Sequence, residues 1–155
     1  MPHPIVRTAP LALVAGLVAV GLLAGTALAT PTRQTLTGQL SSASAVPVVG
    51  PLDGTGVASL AVDRDRKRIC TSLWVTGVEA PTGADISLGA PGAVGSVVVT
   101  LEAPTTGAIQ NSCVNDVDKD LLKAMIDAPS DYYVTVYSAA YPGGAVRGQL
   151  IGNKG

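Results

Sequence analysis

The strictest constraint in this chain is a period of two. In GVASLAVD, residues 56–63, Val57, Ser59, Ala61 and Asp63 fall on one side and Ala58, Leu60 and Val62 on the other. In ICTSLWVTGV, residues 69–78, Cys70, Ser72 and Trp74 oppose Ile69, Thr71, Leu73 and Val75. Side chains two residues apart share a face in an extended strand, so both runs are half-buried strands. The charged DRDRKR at 63–68 is the hairpin tip between them.

The same pattern returns along the chain. A first strand ends near Ser41, and ADISLGAPGAVGSVVVTLE offers a short strand, a glycine-rich loop and a β-branched strand at 96–102. Strands at Tyr132–Ser138 and 145–151 flank AAYPGG. One segment, 115–129, breaks the rule: Val117, Leu121, Leu122, Met125 and Ile126 recur at helical spacing. Asp116 is the expected N-cap, Asp118 and Asp120 suit the positive end of the helix, and Pro129 ends it. Short strands, one crossover helix and no βαβ rhythm predict an all-β fold. The expected form is an antiparallel β-sandwich of the immunoglobulin-like, Greek-key type. Phenylalanine is absent and tryptophan occurs once, so Val, Leu, Ile and Ala must build the core.

The start of the chain reads as an address. Arg7 precedes an apolar run from residue 11 to 24, and ALA at 27–29 matches the small-x-small cleavage pattern. The expectation is a signal peptide, residues 1–29, cut after Ala29, and a secreted protein. Left uncut, the uncharged residues 11–29 would be long enough for a membrane anchor. Residues 30–36 are then a short flexible lead-in, 37–151 the domain and 152–155 a tail. Without the leader, nine basic residues stand against eleven acidic ones, which offers no footprint for nucleic acid. Two cysteines, Cys70 and Cys113, in an exported chain predict a disulfide, with two buried free thiols as the other outcome.

Catalytic chemistry finds few residues. The lone histidine, His3, lies in the leader, so a Ser-His-Asp or Cys-His nucleophile lacks its base. Lys67, Lys119, Lys123 and Lys154 fall in turn, helix-surface or tail contexts. The acidic run at Asp116, Asp118 and Asp120 fails as a calcium loop, because the sixth position is Leu121 where such a loop requires glycine. No catalytic residue, metal ligand set or cofactor is expected.

GQL at 38–40, GTGVASLAVD, ADISLGAPGAVGSVVVTL and YYVTVYSAAYPGGAVRGQL together resemble the CHRD, or chordin-type, domain in its single-domain secreted bacterial form. The resemblance runs from about residue 37 to 151. It implies an extracellular binding or structural module, since animal relatives act through protein–protein interaction. Many members carry His-Ile-His where this chain has Asp85-Ile86-Ser87, and Asn and His where it has Thr135 and Tyr137. Converging imidazoles would suit copper or zinc. The alternative reading is therefore a metal-binding or superoxide-dismutase-like relative whose ligands are replaced here. Asp85, Ser87, Tyr137, Tyr141 and Arg147 form the candidate binding rim, for an extracellular protein or cell-envelope component. Arg147 is expected to pair with Asp85 or Asp131. Tyr132, Tyr133, Tyr137 and Tyr141 are either an exposed aromatic patch or packing residues.

Overall fold

The computed structural model describes residues 31–47 and 49–152, so the expected signal peptide and the last three tail residues lie outside it. In chain order the elements are β1 (Arg33–Ser41), β2 (Thr55–Asp63), β3 (Arg68–Thr76), β4 (Pro81–Leu88), β5 (Ser96–Leu101) and β6 (Ile109–Val114). There follow α1 (Lys119–Asp127), β7 (Tyr132–Ser138), β8 (Val146–Gln149) and β9 (Ile151–Gly152). Strand order is β5-β4-β7-β8-β1-β2-β3-β6, with β9 also on β1. All these pairs are antiparallel.

The sheet folds over so that β5-β4-β7-β8 and β1-β2-β3-β6 enclose one core. Leu36, Leu60, Ile69 and Leu73 come from one half, and Ile86, Val134, Val136 and Val146 from the other. Burying each such side chain contributes about 1.5–3 kcal/mol, enough for a core without phenylalanine. The chain passes between halves at β3–β4, β5–β6 and, through α1, β6–β7. Leu122, Met125 and Ile126 turn one face of α1 into the core. The antiparallel sandwich with a single crossover helix is the fold that the alternating sequence predicts.

Three expectations change. β1 begins at Arg33 and Leu36 is fully buried, so the second half of the supposed lead-in is core strand. Asp118, rather than Asp116, caps α1: its Oδ1 accepts from the Asp120 and Leu121 amides at 2.9 and 3.0 Å. Asp116 instead takes a left-handed turn, φ 57°, ahead of the helix. The third is an additional strand, β6, paired with β3 from Ile69↔Val114 to Trp74↔Ile109. Within it Cys113 lies directly opposite Cys70, Cα atoms 4.0 Å apart, and the two form a disulfide.

A buried polar face under a glycine loop

Register builds the candidate site. Asp85 stands opposite Thr135, which stands opposite Arg147. Ser87, Tyr133 and Gln149 form the next row, and Gly83 faces Tyr137. Because Ala84, Ile86, Val134, Val136 and Val146 point into the core, period two puts Asp85, Ser87, Tyr133, Thr135, Tyr137, Arg147 and Gln149 on the outer face of β4-β7-β8. Such a face would ordinarily be wet. Here Asp85, Ser87, Tyr133, Thr135 and Arg147 are all buried.

The cover is the glycine-rich loop 89–95, which joins β4 to β5 and folds back over the sheet. Arg147, only 2% exposed, holds it from beneath. Nη1 donates to the Ala93 carbonyl at 2.6 Å and Nη2 to the Ala90 carbonyl at 3.0 Å. The guanidinium lies over the Tyr133 ring, 3.4 Å from its centroid. The Tyr133 hydroxyl accepts from the Gly95 amide at 2.9 Å, and Gln149 Nε2 donates to the Gly89 carbonyl at 2.8 Å. Two glycines permit these close approaches. A Cβ on Gly95 would run into the Leu88 carbonyl, and one on Gly148 into the Gln39 carbonyl.

The expected ion pair of Arg147 with Asp85 or Asp131 does not form. Thr135 stands between Asp85 and Arg147 in their row, which separates them by two strand spacings, roughly 10 Å. The planar fork of arginine suits two carbonyls at once, and the aromatic face below supplies negative potential. Burial pushes the Arg147 pKa down, partly offset by Tyr133 and Tyr137.

Asp85 has a separate set of partners. It accepts from the Tyr137 hydroxyl at 2.6 Å and from Ser87 Oγ at 3.2 Å. Burial pushes the Asp85 pKa up, against those two hydrogen bonds. Burial also raises the pKa of Tyr137, and the adjoining carboxylate raises it further. Asp85, Ser87, Thr135 and Tyr137 thus do converge, as the resemblance implies for the corresponding histidines. Their donors are one carboxylate and three hydroxyls, already engaged in part with one another. Copper or zinc favours imidazole or thiolate, so this set does not fit such an ion.

Of the other rim residue, Tyr141, the structure gives a different account. It lines a separate cleft of about 530 Å³ with Pro51, Asp53, Val78, Glu79 and Thr106. Tyr132 and Tyr133 are buried, so the four tyrosines make no common exposed patch. Tyr133 and Gln149, absent from the expected rim, belong to the loop's anchorage. The alternation of YYVTVYS and the offset of VRGQ already put both on the face of Arg147, and this was the available signal.

The family model of the CHRD domain matches residues 36–150, from within β1 to just past β8. No curated protein and no solved structure matches the chain. With the match covering nearly the whole described fold, and with the RGQL segment providing the anchor of the covering loop, the chain belongs to the CHRD domain family.

Proposed function

We propose that this CHRD domain is a secreted, non-catalytic binding module whose recognition surface is the loop 89–95 with its flanking strand ends. The observation that carries the reading is the use made of the polar face. Its one arginine is spent on loop carbonyls and an aromatic ring, beneath a loop that remains outside. Residues 90–94 are exposed, Val94 to 70%, as are Leu88 and Val97 in the strands that flank the loop. A loop held in one conformation before binding loses less entropy on docking, which is how a small surface gains affinity. Asp85, Ser87 and Tyr137 then act below the surface, supporting it rather than touching a ligand.

The test is a pull-down from the exported fraction with native protein, Val94→Asp and Lys123→Ala. A specific partner should be kept by native protein and Lys123→Ala and lost by Val94→Asp. Equal capture by all three would move the recognition surface elsewhere. Stoichiometric copper or zinc in native protein, by elemental analysis, would overturn the non-catalytic reading.

A further inference from the structure

We infer that two copies of this chain pair through β6, antiparallel and two-fold symmetric about Asn111, to make one continuous outer sheet face. This goes beyond the loop and rests on separate observations. β6 ends the strand order, keeps an unbroken register with β3 and contains neither charge nor proline between Ile109 and Val114. Edges that avoid self-association carry charge, proline or a bulge. The opposite edge, β5, has such a device, a register shift against β4 at Ile86/Ser87. β6 has none of these and is stapled to its neighbour by Cys70–Cys113.

Hydrogen-bond parity identifies the groups on offer. The 4.0 Å Cα separation marks Cys70 and Cys113 as a close pair of the non-hydrogen-bonded kind. The backbone N–H and C=O of Cys113, and by alternation those of Asn111 and Ile109, therefore point away from β3. Side chains of the same three residues lie on the outer face, with Ile109 67% exposed and Asn111 and Cys113 exposed as well.

The outer rows say what fits there. One row is apolar, Val57–Trp74–Ile109; the next is polar, Ser59–Ser72–Asn111; the third is again apolar, Ala61–Cys70–Cys113. A two-fold axis at Asn111 sets Ile109 against the Cys113 position of the second copy. Each apolar row then continues into an apolar row, and the polar row into itself. Within Ile109–Val114 this register sets no charged residue opposite another. A two-fold contact requires a patch to complement itself, and this one does.

Light scattering on the purified protein should give twice the monomer mass. Asn111→Pro removes an outward amide that β3 does not use, and proline is tolerated on that side of an edge strand. It should give a folded monomer whose melting midpoint falls only by the lost dimer contact and the hydrogen bond from Ser72 Oγ to Asn111 Oδ1. Ile109→Lys should also give monomer if the proline variant folds poorly. Opposed residues of a hydrogen-bonded pair stand about 5.5 Å apart, within disulfide reach. Asn111→Cys should therefore run as a covalent dimer on a non-reducing gel, and Ser112→Cys, on the inner face, should not. A monomeric native protein overturns the inference, whether the edge is then bare or takes a strand from a different protein. A dimer that survives both edge substitutions, or that Asn111→Cys does not cross-link, places the contact elsewhere and overturns it too.

Discussion

Replacing Arg147 with methionine separates the stability of the loop from the stability of the domain. Two charge-assisted hydrogen bonds, to Ala90 and Ala93, tie loop 89–95 to the sheet, and the same guanidinium stacks on the ring whose hydroxyl holds the Gly95 amide. At a net value of about 1.5 kcal/mol for each, near the low end for bonds to a charged group, the tether contributes about 3 kcal/mol to keeping the loop closed. Each ~1.4 kcal/mol is a factor of ten, so the Gly95 amide should exchange with solvent about 100-fold faster in Arg147→Met. Global stability should fall less, by about 1–2 kcal/mol, because methionine fills the space of the stem and the variant no longer buries a charge. Hydrogen exchange with mass-spectrometric or NMR readout measures the first quantity, and urea unfolding the second. The Gly89 amide is an internal reference, since it donates to the Asp131 carbonyl at 2.8 Å without help from Arg147. A folded variant whose Gly95 exchange changes less than about threefold would refute the clamp.

The other predictions concern the staple and two carboxylates. Changing Cys70 and Cys113 together to alanine opens a crosslink between residues 43 apart, which should lower unfolding free energy by about 4 kcal/mol; an unchanged denaturation midpoint would contradict this. The carboxylates should show opposite pH dependence in unfolding titrations. Asp85 has a pKa raised above 3.8 by burial, so the folded state holds its proton more tightly than the unfolded chain. Its contribution is fullest below 3.8 and is lost as pH rises through the folded pKa, and Asp85→Asn should flatten that fall. Asp63 is held down to about 2, first by the Arg66 side chain and backbone amide and then by Arg33. Its contribution is present above 3.8 and is lost as pH falls toward about 2, so Asp63→Asn should remove that acid sensitivity.

Strand faces were the legible part of this fold. Tyr132–Ser138 alternates so clearly that its extent in the sequence and in the sheet coincide. The hairpin of β2 and β3 follows from two alternating runs around a charged tip, where Asp63 gathers Arg33 and Arg66 at 2.8 and 2.9 Å. β6 was hidden because IQNSCV has little β-branched content and its partner lies about 40 residues earlier; distant pairing and a covalent bond hold it extended. The cap of α1 shifted by two residues because local spacing cannot distinguish neighbouring aspartates until one of them turns left-handed. At the polar face, Asp85, Ser87 and Tyr137 were legible through the family resemblance and Arg147 as a lone charge among small and apolar neighbours, but their partners were not. A buried arginine is expected to seek a carboxylate, and nothing in residue spacing foretells that two carbonyls of a glycine loop will stand closer.

The strand order has a bearing on how the molecule comes into being. Among the described strands the two halves of the sheet are bonded together only where β1 meets β8 and β9, so Leu36 and Thr37 find their mates at Gly152 and Ile151. During synthesis, β1 can zip to β2 early yet must wait for β8 and β9, about a hundred residues later, before its other edge is sealed. Until then the growing polypeptide is two unjoined leaves, and the short stretch from Val146 to Gly152 acts as the spine that binds them.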